Sequence, residues 1–409
     1  MSGVQTQSAP ALLQQLQALP AARPLLAALD DIDGVYVVGG AVRDVLLGAV
    51  PLDLDLVVDG DLELVIRRLA APARIHDRFG TCTVTLDGFS YDIARARSET
   101  YPRPGALPVV VPAGLADDLG RRDFTVNAIA VGLGGSCRAE LVAVQSALED
   151  LQRRSLRVLH DASFVDDPTR LWRLARYSSR LGFTAEQHTL ALALAAVSDG
   201  ALQTVSGARL GAELRLLARE RDPVGAFVGL RELGLDAALA AGFGLQDPAL
   251  ALRALALAPA DADGGALVLA VASMRVAPGE LGRLLDRLAF TAGERDTIVA
   301  AAGGAAALAR ALAAASQPSE IAAAVRDAGP EQVALAGALG PAGIARRWLA
   351  QLRHVTLEIG GDDLLAAGIA AGPAVGAGLR GALAAKLDGR VDGREQELTE
   401  AVSVATVSG

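Results

Sequence analysis

The sequence predicts an α+β protein: an N-terminal head containing a small β-sheet, followed by a long, all-helical remainder. Short β-branched runs separated by Gly and Asp are confined to residues 35–141. Beyond about residue 147 the apolar positions recur at helical spacing instead. Hydrophobic residues make up 52% of the chain but aromatic residues only 3%, and this Ala- and Leu-rich composition favours helix. A chain of 409 residues is also expected to form several domains.

Four runs predict strands of the head, and a fifth is compatible with either a strand or a helix. The clear runs are VYVV (35–38), LDLDLVV (52–58), TCTVTL (81–86) and FSYDIA (89–94), and the ambiguous run is AIAVGL (128–133). Asp87-Gly88 lies between the third and fourth runs, where this dipeptide predicts a hairpin turn.

Composition excludes several classes of protein and of metal site. No apolar run is long enough to predict a membrane span, and the first residues lack the features of a signal peptide, so we expect a cytoplasmic protein without membrane association. Two cysteines and four scattered histidines predict neither a disulfide framework nor a zinc site. A metal would therefore be held by carboxylates, which favour Mg²⁺ and permit Mn²⁺. No stable protein partner is inferred.

A glycine pair marks the first segment with functional potential. Gly39 and Gly40 follow the first predicted strand and precede a predicted helix that carries Arg43 in its first turn. Glycines at such a turn let the backbone approach a phosphate, and the helix N-terminus and Arg43 favour an anion. A plain turn beside a surface arginine is the alternative for the glycine pair alone.

Two aspartates in the second predicted strand form the next candidate site. Because strand side chains alternate, Asp53 and Asp55 project to one side while Leu54 and Leu56 pack on the other. Adjacent carboxylates repel each other unless a cation lies between them, and two-metal phosphoryl transfer uses such a pair. A solvated acidic strand face is the alternative. Asp92, which alternates with apolar neighbours in a later strand, is a candidate third carboxylate or merely an exposed strand residue.

Two further segments combine arginine with hydrogen-bonding side chains. The string RRDFTVNA contains Arg122, Asp123 and Asn127, which suit phosphate and ribose, although a charged helix start would look similar. The string DDPTRLWRLAR begins with a helix-starting Pro168. Its arginines lie on about one third of the helix circumference, which also fits a solvated face; they are Arg170, Arg173, Arg176 and Arg180.

Together, these segments resemble the motifs of the nucleotidyltransferase family that contains bacterial tRNA nucleotidyltransferases and bacterial poly(A) polymerases. The strongest similarity covers about residues 35–185, with a weaker one at 355–400. The resemblance implies a polymerase-β-like head with a small β-sheet, followed by an all-α neck, body and tail. We accordingly predict a helical lead-in, head, neck, body and tail at residues 1–23, 24–146, 147–200, 201–265 and 266–409.

The resemblance also implies roles for individual residues. Gly40 and Arg43 would contact the triphosphate, and Asp53 and Asp55 would bind Mg²⁺. Arg122 and Asp123 would contact the nucleotide sugar and phosphate. Asp167 and Arg170 would hydrogen-bond the Watson–Crick edge of the incoming base, because a carboxylate accepts from an exocyclic amine and a guanidinium donates to ring nitrogen and carbonyl. Arg173 and Arg176 would lie near the triphosphate or base.

Two segments depart from or refine this resemblance. The residues before Asp150, 143–147, lack the acid and glycines that usually form a hinge between head and neck. Residues 96–108 occupy the place of the family's flexible loop, and their sequence is most similar to that of enzymes that add only the terminal A. Their prolines suggest a stiff loop.

The predicted function is therefore template-independent, metal-dependent addition of nucleotides, either the terminal A or the whole CCA, from ATP and possibly CTP to the 3′ end of tRNA. A poly(A) polymerase is an alternative, although the chain lacks a strongly basic tail. A small-molecule nucleotidyltransferase would share the Gly turn and the aspartates but would not need the later motifs. A catalytically inactive RNA-binding protein is disfavoured by Arg43, Asp53 and Asp55.

Overall fold

The computed structural model describes residues 4–76 and 80–408 of the chain, which divides into two compact units. Unit 1 comprises Met1–Ser206 and Leu233–Leu235, and unit 2 comprises Gly207–Glu232 and Asp236–Gly409. All the predicted site residues belong to unit 1. The finer division into lead-in, head, neck, body and tail stays a prediction, and its residues 1–3, 77–79 and 409 lie outside the described part.

A mixed sheet forms the centre of unit 1. The strands of this unit are β1 (Val4–Ser8), β2 (Val35–Val38), β3 (Leu56–Val58), β4 (Ala73–His76), β5 (Thr81–Leu86), β6 (Phe89–Arg95), β7 (Arg97–Thr100), β8 (Val109–Pro112), β9 (Ile129–Gly132), β10 (Glu140–Val144), β11 (Ser155–Leu156) and β12 (Thr184–Ala185). Eight of them form one sheet in the order β1-β10-β9-β2-β3-β6-β5-β4. Strand β3 pairs parallel with β6 and antiparallel with β2, which brings the functional motifs of these strands to neighbouring positions.

Helices pack around this sheet and follow it in sequence. In unit 1 they are α1 (Pro10–Ala18), α2 (Ala22–Leu29), α3 (Gly40–Leu46), α4 (Leu62–Leu69), α5 (Leu115–Gly120), α6 (Ala147–Arg153), α7 (Ser163–Asp166), α8 (Thr169–Leu181) and α9 (Gln187–Ser198). The predicted head is thus an α+β structure, as expected.

The strand predictions are largely confirmed. Strands β2 and β5 have the predicted bounds, and the ambiguous run is the strand β9. Asp87 and Gly88 form the predicted hairpin turn, with φ values of 52° and 82° between the paired residues Leu86 and Phe89. One run is shorter than predicted: β3 begins only at Leu56, the first residue paired with both β2 and β6, although the amide of Val38 still donates to the carbonyl of Asp55 at 3.0 Å.

Two expectations of purely helical structure are wrong. In the lead-in, Val4–Ser8 is a strand, because its backbone pairs antiparallel with Glu140–Val144 at the edge of the sheet. The neck is also not entirely α-helical, since β11 and β12 pair in parallel for two residues each.

Unit 2 is helical throughout its described residues. Its helices are α10 (Gly207–Ala218), α11 (Pro223–Glu232), α12 (Leu235–Leu239), α13 (Pro248–Leu257), α14 (Gly264–Ser273), α15 (Pro278–Arg287), α16 (Ala292–Ala314), α17 (Pro318–Ala324), α18 (Pro330–Ala338), α19 (Ala342–Ala350), α20 (Gly361–Ala366), α21 (Pro373–Leu387) and α22 (Arg394–Ser408). The first residue of α12 is the last of unit 1.

Helix α16 contains most of the low-complexity, Ala-rich segment. By length and composition alone its 23 residues could cross a membrane. Its buried residues recur every three or four positions, however, and a capping box formed by Thr291 and Glu294 begins it. Arg215 of α10 pairs with Glu294 at 3.0 Å. These contacts are those of a helix packed within a helical unit.

The last three helices enclose a separate apolar cluster around Ile359, Leu364 and Ala382. The only lysine of the sequence, Lys386, pairs at 2.6 Å with Glu397, whose side chain is fully buried. Burial acts to raise the pKa of Glu397, but the hydrogen bond from Lys386 prevails and the pKa lies below its usual value. The hydrogen bond from Lys386 therefore favours the ionised form of Glu397.

The predicted hinge segment joins β10 to α6 without a glycine. Ser146, which precedes α6, has a φ of 67°, in the left-handed region that favours glycine. Asp150 in α6 is fully buried and accepts hydrogen bonds from Thr125 at 2.7 Å and from Arg157 at 2.9 Å. This carboxylate ties the second motif to the segment after α6, so the connection is held by a polar network.

We expect Ser146→Gly to raise the free energy of unfolding by about 0.5–1 kcal/mol, because glycine adopts the left-handed conformation without steric cost. Urea unfolding of the variant and the wild type would measure the difference. Ser146→Ala is the matched control, since alanine keeps the steric cost. A stability gain as large in the alanine variant would contradict this explanation.

Candidate functional site

The glycine pair forms a tight turn between β2 and α3. Gly39 has a φ of 70°, and a Cβ atom there would lie 2.7 Å from a guanidinium nitrogen of Arg122. Its amide donates to the carbonyl of Ile129 at 2.9 Å. A side chain at Gly39 would therefore displace Arg122, which explains why the turn needs glycine.

Arg43 is buried behind this turn, with 3% of its surface exposed. Its guanidinium donates to Asp44 at 2.7 and 2.8 Å and to the side chain of Asn127 at 2.6 Å. It also lies 5.6 Å from the ring centroid of Tyr177. In this structure Arg43 therefore contacts residues of three segments. Its contact with a triphosphate stays a prediction.

The carboxylates of the second motif alternate as predicted, although they precede β3. Asp53 and Asp55 are exposed, whereas Leu54 between them is 2% exposed. Asp92 follows buried Tyr91 and immediately precedes the residue of β6 that pairs with the first residue of β3. This register makes Asp92 a neighbour of Asp55.

The charges of Asp53 and Asp92 act on the carboxylate of Asp55. The pKa of Asp55 is raised to about 6, first because protein replaces much of the water around its carboxylate and then because Asp53 and Asp92 are negatively charged. Arg122 opposes this rise. A bound cation would stabilise the ionised form of such a group. A site with only one or two carboxylate ligands leaves room for the water and phosphate oxygens that Mg²⁺ prefers. Among residues 4–76 and 80–408, no three His, Cys, Asp or Glu side chains gather into a complete metal site.

Asp118 holds the two arginines of the next motif in place. It is fully buried and accepts from Arg121 at 2.7 and 3.0 Å and from Arg122 at 3.1 Å. Arg121 also donates to Glu99 at 2.8 Å. Both arginines therefore keep a fixed direction, which lowers the entropic cost of binding an anion.

Asp123 connects this motif to helix α8. It is 4% exposed, accepts from Asn127 at 3.0 Å and forms an ion pair with Arg173 at 2.8 Å. Burial acts to raise the pKa of Asp123, but the charge of Arg173 and the hydrogen bond from Asn127 outweigh it, so the pKa lies below the usual value. The ionised carboxylate thus joins the head motif to the predicted base-contacting helix.

The arginine stripe of α8 is buried at Arg170 and Arg176 and exposed only at Arg180, near the end of the helix. Arg170 and Arg176 are 3% and 8% exposed, and Arg176 lies 5.1 Å from the ring centroid of Tyr177. Asp167, immediately before the helix, is 9% exposed and accepts from the amide and hydroxyl of Thr169 at 3.1 and 2.7 Å. Burial of these charges is costly unless they are paired, which is typical of a binding site.

A cleft of about 380 Å³ brings most of the predicted residues together. Nine of them line it: Gly39, Gly40, Asp55, Arg122, Asp123, Asn127, Asp167, Arg170 and Arg173. The remaining four, which are not in its lining, are Asp53, Asp92, Arg43 and Arg176. A second cleft of about 330 Å³ shares Asp55, Arg121 and Arg122 with the first and is lined by Asp92. Asp55 therefore lies where the two clefts meet.

The cleft contains further residues that were not predicted as site residues: Arg97, Glu99, Tyr101, Pro108, Arg121 and Tyr177. The first four belong to residues 96–108, the segment in the place of the family's flexible loop. Its first residues instead form β7, paired with β8, and period-two alternation of Arg97 and Glu99 was the available signal. The amide of Gly105 donates to Val165 and Asp166 at 3.2 Å, so the loop between these strands packs beside the start of α8.

This geometry agrees with similarity to known proteins. Residues 35–157 match the family model described as the Poly A polymerase head domain. Over 226 residues the chain is 43% identical to the A-adding tRNA nucleotidyltransferase of Geobacter sulfurreducens, which covers 52% of this chain and 26% of that protein. It is 46% identical over 191 residues to the CC-adding tRNA nucleotidyltransferase of Deinococcus radiodurans, covering 46% and 50% respectively. The matched regions span at most about half the length of these relatives.

Solved structures match almost the whole chain. A CCA-adding enzyme in an apo form superposes with a TM-score of 0.83 and 28% identity, covering 97% of this chain and 99% of that one. The Thermotoga maritima CCA-adding enzyme complexed with tRNA has a TM-score of 0.78 and 27% identity, covering 97% and 98%. The chain has the polymerase-β-like head and helical body of these enzymes. It is similar to tRNA nucleotidyltransferases of the A-adding, CC-adding and CCA-adding types, and its residues 35–157 match the Poly A polymerase head domain.

Proposed function

We propose that this protein adds nucleotides from ATP, with CTP as the second candidate donor, to the 3′ end of tRNA in the cytoplasm, with release of pyrophosphate. The single observation that carries the proposal is the 380 Å³ cleft, in which the glycine turn, Asp55 and the Asp167–Arg170 pair line the same space. Template-independent nucleotidyl transfer requires a surface that binds a triphosphate, a catalytic carboxylate and a pair of side chains that contacts the base. The named relatives support tRNA as the substrate.

At one end of the cleft, the chain's own groups suit a triphosphate. Gly39 and Gly40 present backbone without side chains, so phosphate oxygens can approach closely. Arg122, oriented by Asp118, supplies positive charge beside the carboxylates. We assign Arg43 and Arg176 to this end as well; in the free protein both lie against the ring of Tyr177.

Asp53 and Asp55 are the proposed ligands of divalent metal, with Asp92 as the third catalytic carboxylate. Mg²⁺ fits best, and Mn²⁺ is compatible, because hard oxygen ligands are the only ones offered. When bound, the metal would lower the pKa of the attacking 3′-hydroxyl and stabilise the charge on the triphosphate. The positive charge of a metal would also reduce the repulsion among the carboxylates, which contributes to the raised pKa of Asp55.

At the other end, Asp167 and Arg170 suit the Watson–Crick edge of a base. An ionised carboxylate accepts from the exocyclic amine that adenine and cytosine share, and a guanidinium donates to ring nitrogen or carbonyl. Asp123, Asn127 and Arg173 also line the cleft, and we assign them to the sugar and phosphate. The cleft therefore offers a group for each part of a nucleoside triphosphate.

The product we favour is the terminal A. Three A-adding tRNA nucleotidyltransferases are 43%, 42% and 41% identical to the chain over their aligned regions, and the loop segment is similar to enzymes of that type. Addition of the whole CCA is the second candidate, because CCA-adding enzymes match 97% of the chain in structure. A poly(A) polymerase is not favoured, since the named relatives act on tRNA. A small-molecule nucleotidyltransferase would not need the Asp167–Arg170 pair or the helical body.

The carboxylates of Asp53, Asp55 and Asp92 make the free energy of unfolding depend on pH in the absence of metal. Because its folded-state pKa is raised, Asp55 holds its proton more tightly in the folded protein, so stability falls as pH rises from about 4 through 6. In chelator, we expect Asp55→Asn to have a higher Tm than the wild type at pH 7.5 and an equal Tm at pH 4. Thermal melts across pH would measure this.

Magnesium should raise the Tm of the wild type at pH 7.5 and leave that of the Asp55→Asn variant nearly unchanged. Asp296→Asn, at an exposed aspartate of unit 2, is the matched control and should behave like the wild type. A lower Tm for Asp55→Asn than for the wild type at pH 7.5 in chelator would contradict the proposed repulsion.

For the reaction itself, purified protein would be offered tRNA lacking CCA, tRNA ending in CC and complete tRNA, each with labelled ATP or CTP. We expect ATP to label the tRNA ending in CC and CTP to label none of the three. Labelling of the shortest tRNA by CTP would instead establish CC or CCA addition.

In the same assay Asp53→Ala should reduce turnover roughly a thousandfold or more, because it removes a metal ligand that acts on the transition state. Its affinity for tRNA, measured by filter binding, should stay close to that of the wild type. Asp296→Ala is the control for a lost exposed carboxylate. Undiminished turnover of Asp53→Ala would show that the metal assignment is wrong.

A further inference from the structure

Arg170 is held by the protein at both ends of its guanidinium fork. One terminal nitrogen donates to the hydroxyl oxygen of Ser163 at 2.6 Å, and the other donates to the backbone carbonyl of Arg121 at 2.7 Å. Ser163 is the first residue of α7 and is fully buried, and Arg170 is 3% exposed. Two bonds in the plane of a rigid guanidinium fix both its position and its rotation.

The hydroxyl of Ser163 is special among these contacts because it alone comes from a side chain. The carbonyl of Arg121 belongs to the turn after α5, where Asp118 holds the side chains of Arg121 and Arg122. Ser163 therefore completes a bridge in which Arg170 connects α7 with the phosphate-facing segment. Without the hydroxyl, one guanidinium nitrogen would lose its acceptor inside the protein, and such a group turns toward another acceptor.

Asp167, the other half of the base-contacting pair, is held in a similar way. One of its carboxylate oxygens accepts from both the amide and the hydroxyl of Thr169. The pair thus has a fixed orientation before any nucleotide binds. A fixed pattern of donors and acceptors matches one base edge better than another, because a mismatched base leaves buried polar groups without partners.

We propose that Ser163 is a positioning residue that fixes Arg170 and thereby sets which nucleobase the cleft prefers, with Thr169 giving weaker support through Asp167. The proposal rests on the proposed function, since it takes Asp167 and Arg170 as the base contacts. Ser163 itself acts only through Arg170. Its loss should therefore change selectivity between bases more than it changes the chemical step.

The test compares Ser163→Ala with the wild type in kcat/KM for ATP and for misincorporated CTP on tRNA ending in CC, with CTP at concentrations far above those of the labelling assay so that rare misincorporation can be measured. We expect the preference between the two nucleotides to fall about tenfold, as befits the loss of a hydrogen bond to a charged group. Ser163→Thr, which keeps the hydroxyl, should restore the preference. Thr169→Val should lower it less, because the amide of residue 169 still donates to Asp167.

Ser319→Ala is the matched control, since the Ser319 hydroxyl donates to Asp388 at 2.8 Å in unit 2. Thermal melts would confirm that each variant folds. An unchanged preference in Ser163→Ala, or an equal loss of activity with both nucleotides, would overturn the proposal.

If the wild type transfers neither nucleotide to tRNA, the proposed function has failed, and calorimetric binding of ATP and CTP then decides the inference. A wild-type preference in affinity that is lost in Ser163→Ala but kept in Ser319→Ala supports the positioning role. Equal affinity ratios in all three proteins refute it.

Discussion

The ion pair between Asp123 and Arg173 is the contact on which the site depends. One partner belongs to the second motif of the head and the other to helix α8, and they meet at 2.8 Å. Asp123 is almost fully buried, so removing Arg173 would leave a charge without compensation inside the protein, which is strongly destabilising. The pair keeps the phosphate-facing and base-contacting sides of the cleft in one arrangement.

Two other buried carboxylates, those of Asp118 and Asp150, fix neighbouring segments in the same way. Asp118 aligns Arg121 and Arg122, and Asp150 joins Thr125 to Arg157. Each carboxylate is shared by two donors, so each arginine is directed by a partner that does not itself need to touch ligand. The protein carries a net charge of −9 and still offers an arginine-lined cleft, because its acids are placed to orient those arginines.

The motifs could be predicted from the sequence because their chemistry depends on short spacing. Alternation of Asp53, Leu54 and Asp55, the glycine turn and the Asp87-Gly88 hairpin are all local, and the structure has each of them. Asp92 also alternates as predicted, and only the sheet order, with β6 beside β3, brings it to Asp55.

What could not be predicted depends on contacts between distant segments. The lead-in strand exists because β10 offers it an edge, although the residues themselves carry no strong strand signal. Its place in the motif predicts that Arg43 contacts a triphosphate, yet its guanidinium donates a hydrogen bond to Asn127, 84 residues away. Glu99 and Tyr101 enter the cleft because the segment after β6 pairs with β8 instead of forming a free loop. The hydrophobic periodicity of a single segment does not predict such pairings between distant segments.

The most direct test of the central claim is a crystal structure of the protein with Mg²⁺ and a non-hydrolysable ATP analogue. The account predicts the triphosphate beside Gly39 and Gly40, the metal on Asp53 and Asp55, and the adenine edge against Asp167 and Arg170. A nucleotide bound in the opposite direction, or with its base in the second cleft beside Asp92, would contradict the assignment of the cleft.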